Sequence, residues 1–254
     1  MRILVTNDDG IDSPGIYALV HALRKIGEVI VVAPDRQQSA VGHALTVSSP
    51  LRATPFHRDG AMFGYAIDGT PTDCVKMAIS TLLPEKPDII VSGINHGANT
   101  SINVLYSGTV SAATEGMMMG IRSMAVSLTS FDHSADMNVA AEYACAIAAK
   151  LPSLVLPEDT ILNVNVPSIS RDQIKGIKIT RQSKSMWNDH YERRTDPMGH
   201  DYFWIKGQYI TLDDVADADD MVLKEGYISI TPIHYDLTNR KVMQQIVSLE
   251  NITL

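Results

Sequence analysis

The hydrophobic positions of this chain come as short continuous runs separated by stretches with helical spacing. Ile3-Leu4-Val5 is the first run, and its lack of alternation predicts a strand covered on both faces. Pro14 then opens a segment in which Ile16, Leu19, Val20, Leu23 and Ile26 share one stripe, with Ser13 placed to cap it. Gly27 stops that helix, and Val29-Ile30-Val31-Val32 gives a second strand. This order predicts a βαβ unit with parallel strands and a right-handed crossover. The alternation continues with a strand Phe63–Ile67 and a helix from the Thr70-Pro71-Thr72-Asp73 cap to about Leu83. A strand Asp88–Ser92, a helix Gly108–Met119, a strand Met124–Leu128, a helix Ala135–Lys150 and a strand Ile161–Val166 follow. The fold class predicted for residues 1–170 is α/β, a doubly wound and mostly parallel sheet.

Beyond Pro167 the pattern changes. Ile177–Thr180 and Tyr202–Ile205 alternate as antiparallel strands do, and Tyr227–Thr231 reads as a late strand. Between the first two lies Gln182–His200, polar and with almost no apolar period. It is long for a loop inside a compact domain, so it is expected to project or to touch a partner. Residues 171–254 are therefore read as a β-rich C-terminal extension, used in oligomer assembly.

Composition narrows the partners. The chain has 254 residues, 45% hydrophobic and 20% charged, enough for one large domain or a domain plus an extension. It contains no run of about 18 apolar residues, so no membrane span is expected. The start, MRILVTNDDG, lacks the apolar stretch of a secretory leader. Cys74 and Cys145 sit apart in apolar helical patterns and read as buried thiols, which suits a cytoplasmic location. With 21 Lys+Arg against 29 Asp+Glu, the net charge is −8. That excess disfavours long nucleic acid and anionic membranes, which both need a basic face.

Ligands of open α/β sheets bind outside the carboxyl ends of the strands. The first strand exits into Thr6-Asn7-Asp8-Asp9-Gly10. Adjacent carboxylates raise each other's pKa unless a cation or donor compensates. A hard divalent cation would do so; a plain polar turn is the other reading, and the motif alone leaves both open. The second strand leads into a small-residue loop with Arg36 and Ser39. The Ile89–Val91 strand exits into Ser92-Gly93-Ile94-Asn95-His96-Gly97-Ala98-Asn99, where Asn95 offers a neutral oxygen. Ser107-Gly108-Thr109 opens a helix and combines free backbone N–H groups, hydroxyls and the positive end of the dipole, an anion site or a simple cap. His43 and His96 are further acid–base candidates. The chain has no Gly-x-Gly-x-x-Gly, and Ile16 and Tyr17 stand where a P-loop needs Lys and Ser/Thr. The acidic run Asp213, Asp214, Asp217, Asp219, Asp220 lacks the pattern of an EF-hand and reads as a solvated turn.

Taken in order, ILVTNDDGIDSPGI, the AP-x-R-x-Q-SA segment around Ser39, SGIN-x-G-x-N over 92–99, YSGTVSAATEG over 106–116 and GYISITP over 226–232 resemble the SurE (survival protein E) family of metal-dependent nucleotidases. The resemblance spans nearly the whole chain. It implies a Rossmann-like core and a C-terminal extension exchanged between subunits of a homodimer or homotetramer. It implies hydrolysis of nucleoside 5′- and 3′-monophosphates, with short polyphosphate as a further substrate in some members. The implied ligands of one Mn²⁺ or Mg²⁺ per subunit are Asp8, Asp9, Ser39 and Asn95, and the phosphate contacts are Ser107, Gly108 and Thr109, with Ser39 and Asn99 beside them. Asp9 is then the expected base for an attacking water, with Asp8 and Asn95 sharing the catalytic centre. The small phosphorylated substrate meets the local field of a cation and a helix end, which differs in sign from the total charge. Three other readings compete: a phosphoaspartyl hydrolase wants Asp-x-Asp after the first strand, a receiver module is about half this length, and an idle assembly protein has no need of a complete ligand set.

Overall fold

The computed structural model describes residues 1–213 and 215–252. The strands are β1 (Arg2–Thr6), β2 (Glu28–Pro34), β3 (Ala53–Arg58), β4 (Ala61–Ile67), β5 (Ile89–His96), β6 (Arg122–Leu128), β7 (Thr160–Val166), β8 (Ile177–Ile179), β9 (Met186–Thr195), β10 (Asp201–Ile210) and β11 (Ile228–His234). The α-helices are α1 (Pro14–Leu23), α2 (Pro71–Met77), α3 (Gly108–Met118), α4 (Asn138–Lys150), α5 (Asp219–Lys224) and α6 (Arg240–Met243).

A nine-stranded sheet runs in the order β3-β4-β2-β1-β5-β6-β7-β11-β8. From β4 to β7 all neighbours are parallel, and antiparallel pairs occur only at β3/β4 and β7/β11. Such a sheet is stable only if covered on both faces. One face carries α1 and α4 and the other α2 and α3. Ile3, Val5, Val91, Val126 and Val164 face the first pair, with Ile16, Leu19 and Leu23 of α1 packed among them. Leu4, Val32 and Ile90 face the second, against Cys74, Val75 and Ala112. Period-2 side chains on doubly covered strands explain why the sequence shows unbroken apolar runs.

The helices begin where their caps lie. Ser13 precedes Pro14 and accepts from the Ile16 amide, and Thr70 and Asp73 form a reciprocal capping box. α2 ends at Met77 and continues as a wider π turn over Ala78–Leu82, which accounts for the expected reach to Leu83. The chain leaves β1 toward one side of the sheet and leaves β5 toward the other. The gap between the carboxyl ends of β1 and β5 is therefore the topological switch point.

The last third departs from expectation in three ways. The polar segment 182–200 is no loop: Met186–Thr195 is β9, paired antiparallel with β10 in a separate two-stranded hairpin. β10 contains the expected strand Tyr202–Ile205, and β9 is largely exposed on both faces, so no apolar alternation marks it in the sequence. β8 pairs parallel with β11, where the sequence had suggested an antiparallel strand. Of the acidic run, the expected solvated or turn segment holds for Asp217, exposed in a turn and paired with Arg181, whereas Asp213, Asp219 and Asp220 are buried; Asp214 lies outside the described residues. Cys74 and Cys145 are free thiols, the first buried and the second half-buried. No helix among the described residues is long and apolar enough to cross a membrane.

Candidate active site

The switch point gathers most of the predicted residues. Asp8, Ser39, Asn95, Asn99 and Ser107 line one cleft of about 690 Å³, with His96, Tyr106, Phe131, Trp187, Asp189 and Ile205 completing its walls. Asp8 and Asp9 leave the end of β1, Asn95 ends β5, and Ser107 caps α3 by accepting from the Val110 amide. The carboxyl end of β1 thus faces the amino end of a full-length helix.

Asp8 is 6% exposed and is held by one residue of that helix. The Thr109 amide donates to Asp8 Oδ2 at 3.1 Å, and the Thr109 hydroxyl donates to Oδ1. Gly108 makes this approach possible: a Cβ there would lie 2.8 Å from the Asp8 Cβ and 3.0 Å from Pro71. Burial pushes the Asp8 carboxyl up to about 6; the Thr109 donors oppose the rise and the neighbouring Asp9 charge adds to it. Thr109 and Gly108 therefore buttress Asp8, and neither lines the cleft.

Asp9 turns the other way. It borders an adjoining cleft of about 320 Å³ with Asp12, Asp35, Arg36, Gln37, His96 and His133. Its Oδ2 accepts from the His96 amide at 3.1 Å and pairs with His96 Nδ1 at 3.0 Å, while Gln37 Nε2 reaches Oδ1 at 3.4 Å. His96 lines both clefts. Its Nε2 is buried without a partner among the described residues, and its ring lies 5.1 Å from that of His133.

Asn95 donates its side-chain nitrogen to the Gly97 carbonyl at 2.7 Å, which leaves its side-chain oxygen to accept from another group. Asn99 is tied inward. Its side chain donates to Ser127, its backbone amide to Asn165, and its carbonyl accepts from both Asn163 and Asn165. The loop after β5 is therefore fixed from beneath by buried asparagines of β7. Ser39 is exposed at the cleft edge, and the backbone beside it is fixed where the Gln38 amide donates to the Asp8 carbonyl at 2.7 Å.

The donors Asp8, Asp9, Ser39 and Asn95 are all oxygens, which suits a hard divalent cation and no soft metal. Among the described residues neither aspartate pairs with Lys or Arg, so their charge lacks a protein cation beyond His96. No three His, Cys, Asp or Glu side chains converge among those residues. The residues fit such an ion. Sequence reasoning missed Phe131 and His133, which come from a loop without periodic signal, and the place of Trp187 and Ile205 in the wall, which only the fold of the hairpin sets.

The comparisons with known proteins converge. The family model described as "Survival protein SurE" matches residues 3–189. A protein of Pelobacter propionicus named "5'-nucleotidase SurE" is 51% identical over 248 residues, covering 98% of this chain and 99% of its own length. One of Syntrophobacter fumaroxidans with the same name is 48% identical over 96% of this chain and 97% of itself. The crystal structure of the SurE protein from Aquifex aeolicus superposes with a TM-score of 0.86 at 42% identity, covering 99% of this chain and 100% of that one. With the family model matching residues 3–189 and relatives about half identical over nearly full length, the chain belongs to the SurE family.

Proposed function

We propose that this protein hydrolyses nucleoside 5′-monophosphates to nucleoside and phosphate with the help of one bound divalent cation, Mn²⁺ or Mg²⁺. The observation that carries the reading is the meeting of Asp8 with the amino end of α3 on a cleft that also holds Ser39, Asn95 and Ser107. The names of the relatives supply the substrate class. Asp8, Asp9, Ser39 and Asn95 would hold the cation. When bound, such an ion neutralises phosphoryl charge and lowers the pKa of water. Ser107, at the amino end of α3, would meet a phosphate in the cleft with its hydroxyl and the helix dipole. Asp9 is the carboxylate placed to receive a proton from the attacking water. His96 lines both clefts, and it or a metal-bound water would protonate the leaving oxygen. Activity on 3′-monophosphates and short polyphosphate follows if the cleft accepts the phosphate without using the rest of the substrate.

A phosphate-release panel of AMP, 3′-AMP, polyphosphate and p-nitrophenyl phosphate, with and without Mn²⁺, tests this. Turnover of AMP that EDTA abolishes is expected. Asp9→Asn and Asn95→Ala should each lose turnover by about a hundredfold or more while staying folded. Undiminished release in metal-free buffer, or wild-type turnover of either variant at saturating Mn²⁺, overturns the assignment.

Assembly is proposed to run through the C-terminal tail. At the opposite end of the sheet a cavity of about 770 Å³ is lined by Met117, Ile121, Arg122, Pro157 and Tyr235. The tail that departs at Tyr235 leaves Leu237, Met243, Ile246, Leu249 and Ile252 exposed. A second copy's tail would cover both surfaces. Light scattering should give a dimer or tetramer for the full chain and a smaller species for one ending at Tyr235; an unchanged mass rejects the tail as the link.

A further inference from the structure

The loop that carries Ser39 is held by a buried charge that the reaction does not use. Between the ends of β2 and β3 the chain runs 35–52 without helix or strand. It is nonetheless stitched down along its first half. The Gly42 amide donates to the Tyr106 carbonyl at 3.0 Å, Thr70 Oγ1 donates to the Ala44 carbonyl at 2.8 Å, and Thr46 donates twice to Asp73. Ala40 and Gly42 bend the loop through positive φ between these points.

His43, itself exposed, reaches inward to α3. Its Nε2 lies 2.9 Å from Oε2 of Glu115, a residue of α3 that is 3% exposed. The other carboxylate oxygen accepts from Lys76 of α2 at 2.5 Å. A buried carboxylate is costly unless it is paired and hydrogen-bonded, and both its oxygens are satisfied here. Glu115 stands six residues after Thr109, about 9 Å along the helix axis. None of His43, Lys76 and Glu115 lines either cleft. One helix therefore buttresses Asp8 at its first turn and grips the Ser39 loop two turns later.

We propose that Glu115 and His43 are positioning residues that clamp the Ser39 loop to α3, so that Ser39 and Asp8 present their oxygens to one cation from a single rigid element. The inference rests on the cation reading above. It gives a use to a charge that α3 would otherwise bury at a cost.

The test is Mn²⁺ binding by calorimetry to the full-length protein, with thermal melting as a control, on His43→Ala, Ser39→Ala and the pair. Asp9→Asn serves as the reference for the site itself. If the clamp acts through Ser39, His43→Ala weakens Mn²⁺ binding by about tenfold alone and adds almost nothing to Ser39→Ala. His43→Gln, which keeps a donor at the position of Nε2, should restore most of the affinity. A His43→Ala protein that binds Mn²⁺ as wild type does overturns the proposal. So does an equal loss in both backgrounds, which is what a general loosening of the fold produces even where melting falls. Wild-type protein that binds no Mn²⁺ more tightly than Asp9→Asn refutes the cation reading instead, and the two failures are distinguishable.

Discussion

The central sheet and the C-terminal hairpin are held by opposite kinds of contact. Strands β1, β5, β6 and β7 are joined to their helices by hydrocarbon, with Leu4, Ile90, Met124 and Val164 fully buried. The β9–β10 hairpin stands apart from the sheet and shows Tyr191, Phe203, Trp204 and Ile205 to solvent. Its attachment is polar. Tyr209 on β10 shares its hydroxyl with Ser101 at 2.7 Å and Asp220 at 3.1 Å. Asp219 accepts from the amides of Ser101, Ser183 and Asp220, and Ser185 donates to Asp220 at 2.8 Å. Hydrocarbon burial is non-directional and tolerant, so it suits a frame; hydrogen bonds to buried carboxylates are directional, so they suit an element that must present Trp187, Asp189 and Ile205 to the cleft in one pose.

This contrast predicts where damage goes. The largest effect belongs to the frame: Ile90→Ala, at a fully buried position beside Gly116 and Ser123, should cost about 3–4 kcal/mol in global denaturation. Asp219→Ala comes next. It strands three amides and should cost about 2–3 kcal/mol, read chiefly as faster hydrogen exchange in β9 and β10. A uniform rise in exchange across β1 and β5 would mean that the hairpin and the sheet are one cooperative unit, and the comparison would fail. Tyr209→Phe removes one shared hydroxyl and should cost about 1 kcal/mol, with a raised KM for substrate if the hairpin wall meets the nucleoside.

The same contrast governs what could be read beforehand. β1, α1, β2, β5 and the caps at Ser13 and Thr70 were legible because burial stamps a period on a sequence and capping a residue type. Asp8, Ser39, Asn95 and Ser107 were legible because the chemistry of an α/β sheet gathers at strand exits. β3 was not, since its ATPFHR edge strand carries a proline and only half-covered side chains. Of the hairpin, Tyr202–Ile205 was legible as a strand of β10, while β9 was not, since a strand exposed on both faces needs no alternation. The carboxylates of Asp213, Asp219 and Asp220 were misread because charge in a sequence suggests water, whereas Asp219 and Asp220 spend theirs on backbone amides and hydroxyls. Glu115 lay in plain view within the 106–116 motif, but its partners His43 and Lys76 come from other elements and only the fold brings them together.

The smallest effect is also the one that separates the two regions by pH. Arg181, after β8, forms a two-pronged pair with Asp213 at 2.5 and 2.7 Å and also reaches Asp217 at 3.0 Å. The guanidinium holds the Asp213 carboxyl at about 2, below the usual carboxylate range. A carboxylate depressed on folding stabilises the folded state above its unfolded pKa, near 4, and loses that contribution as pH falls toward 2. Asp219 opposes it, because burial raises that carboxyl and its ionisation works against folding as pH rises. Wild type alone would mix the two. The difference between wild type and Arg181→Met isolates the pair, since Asp219 is present in both. Exchange protection of the segment joining β10 to α5 should favour wild type by a constant margin above about pH 5, and that margin should shrink to a small fraction of itself by about pH 2. Protection of β1 and β5, whose burial involves no ionisable partner of Arg181, should keep the same profile in both proteins. A margin that persists undiminished at pH 2, or one that appears equally in β1, would show that Arg181 holds the region by packing its stem and that the polar attachment is less distinct from the core than its bonds suggest.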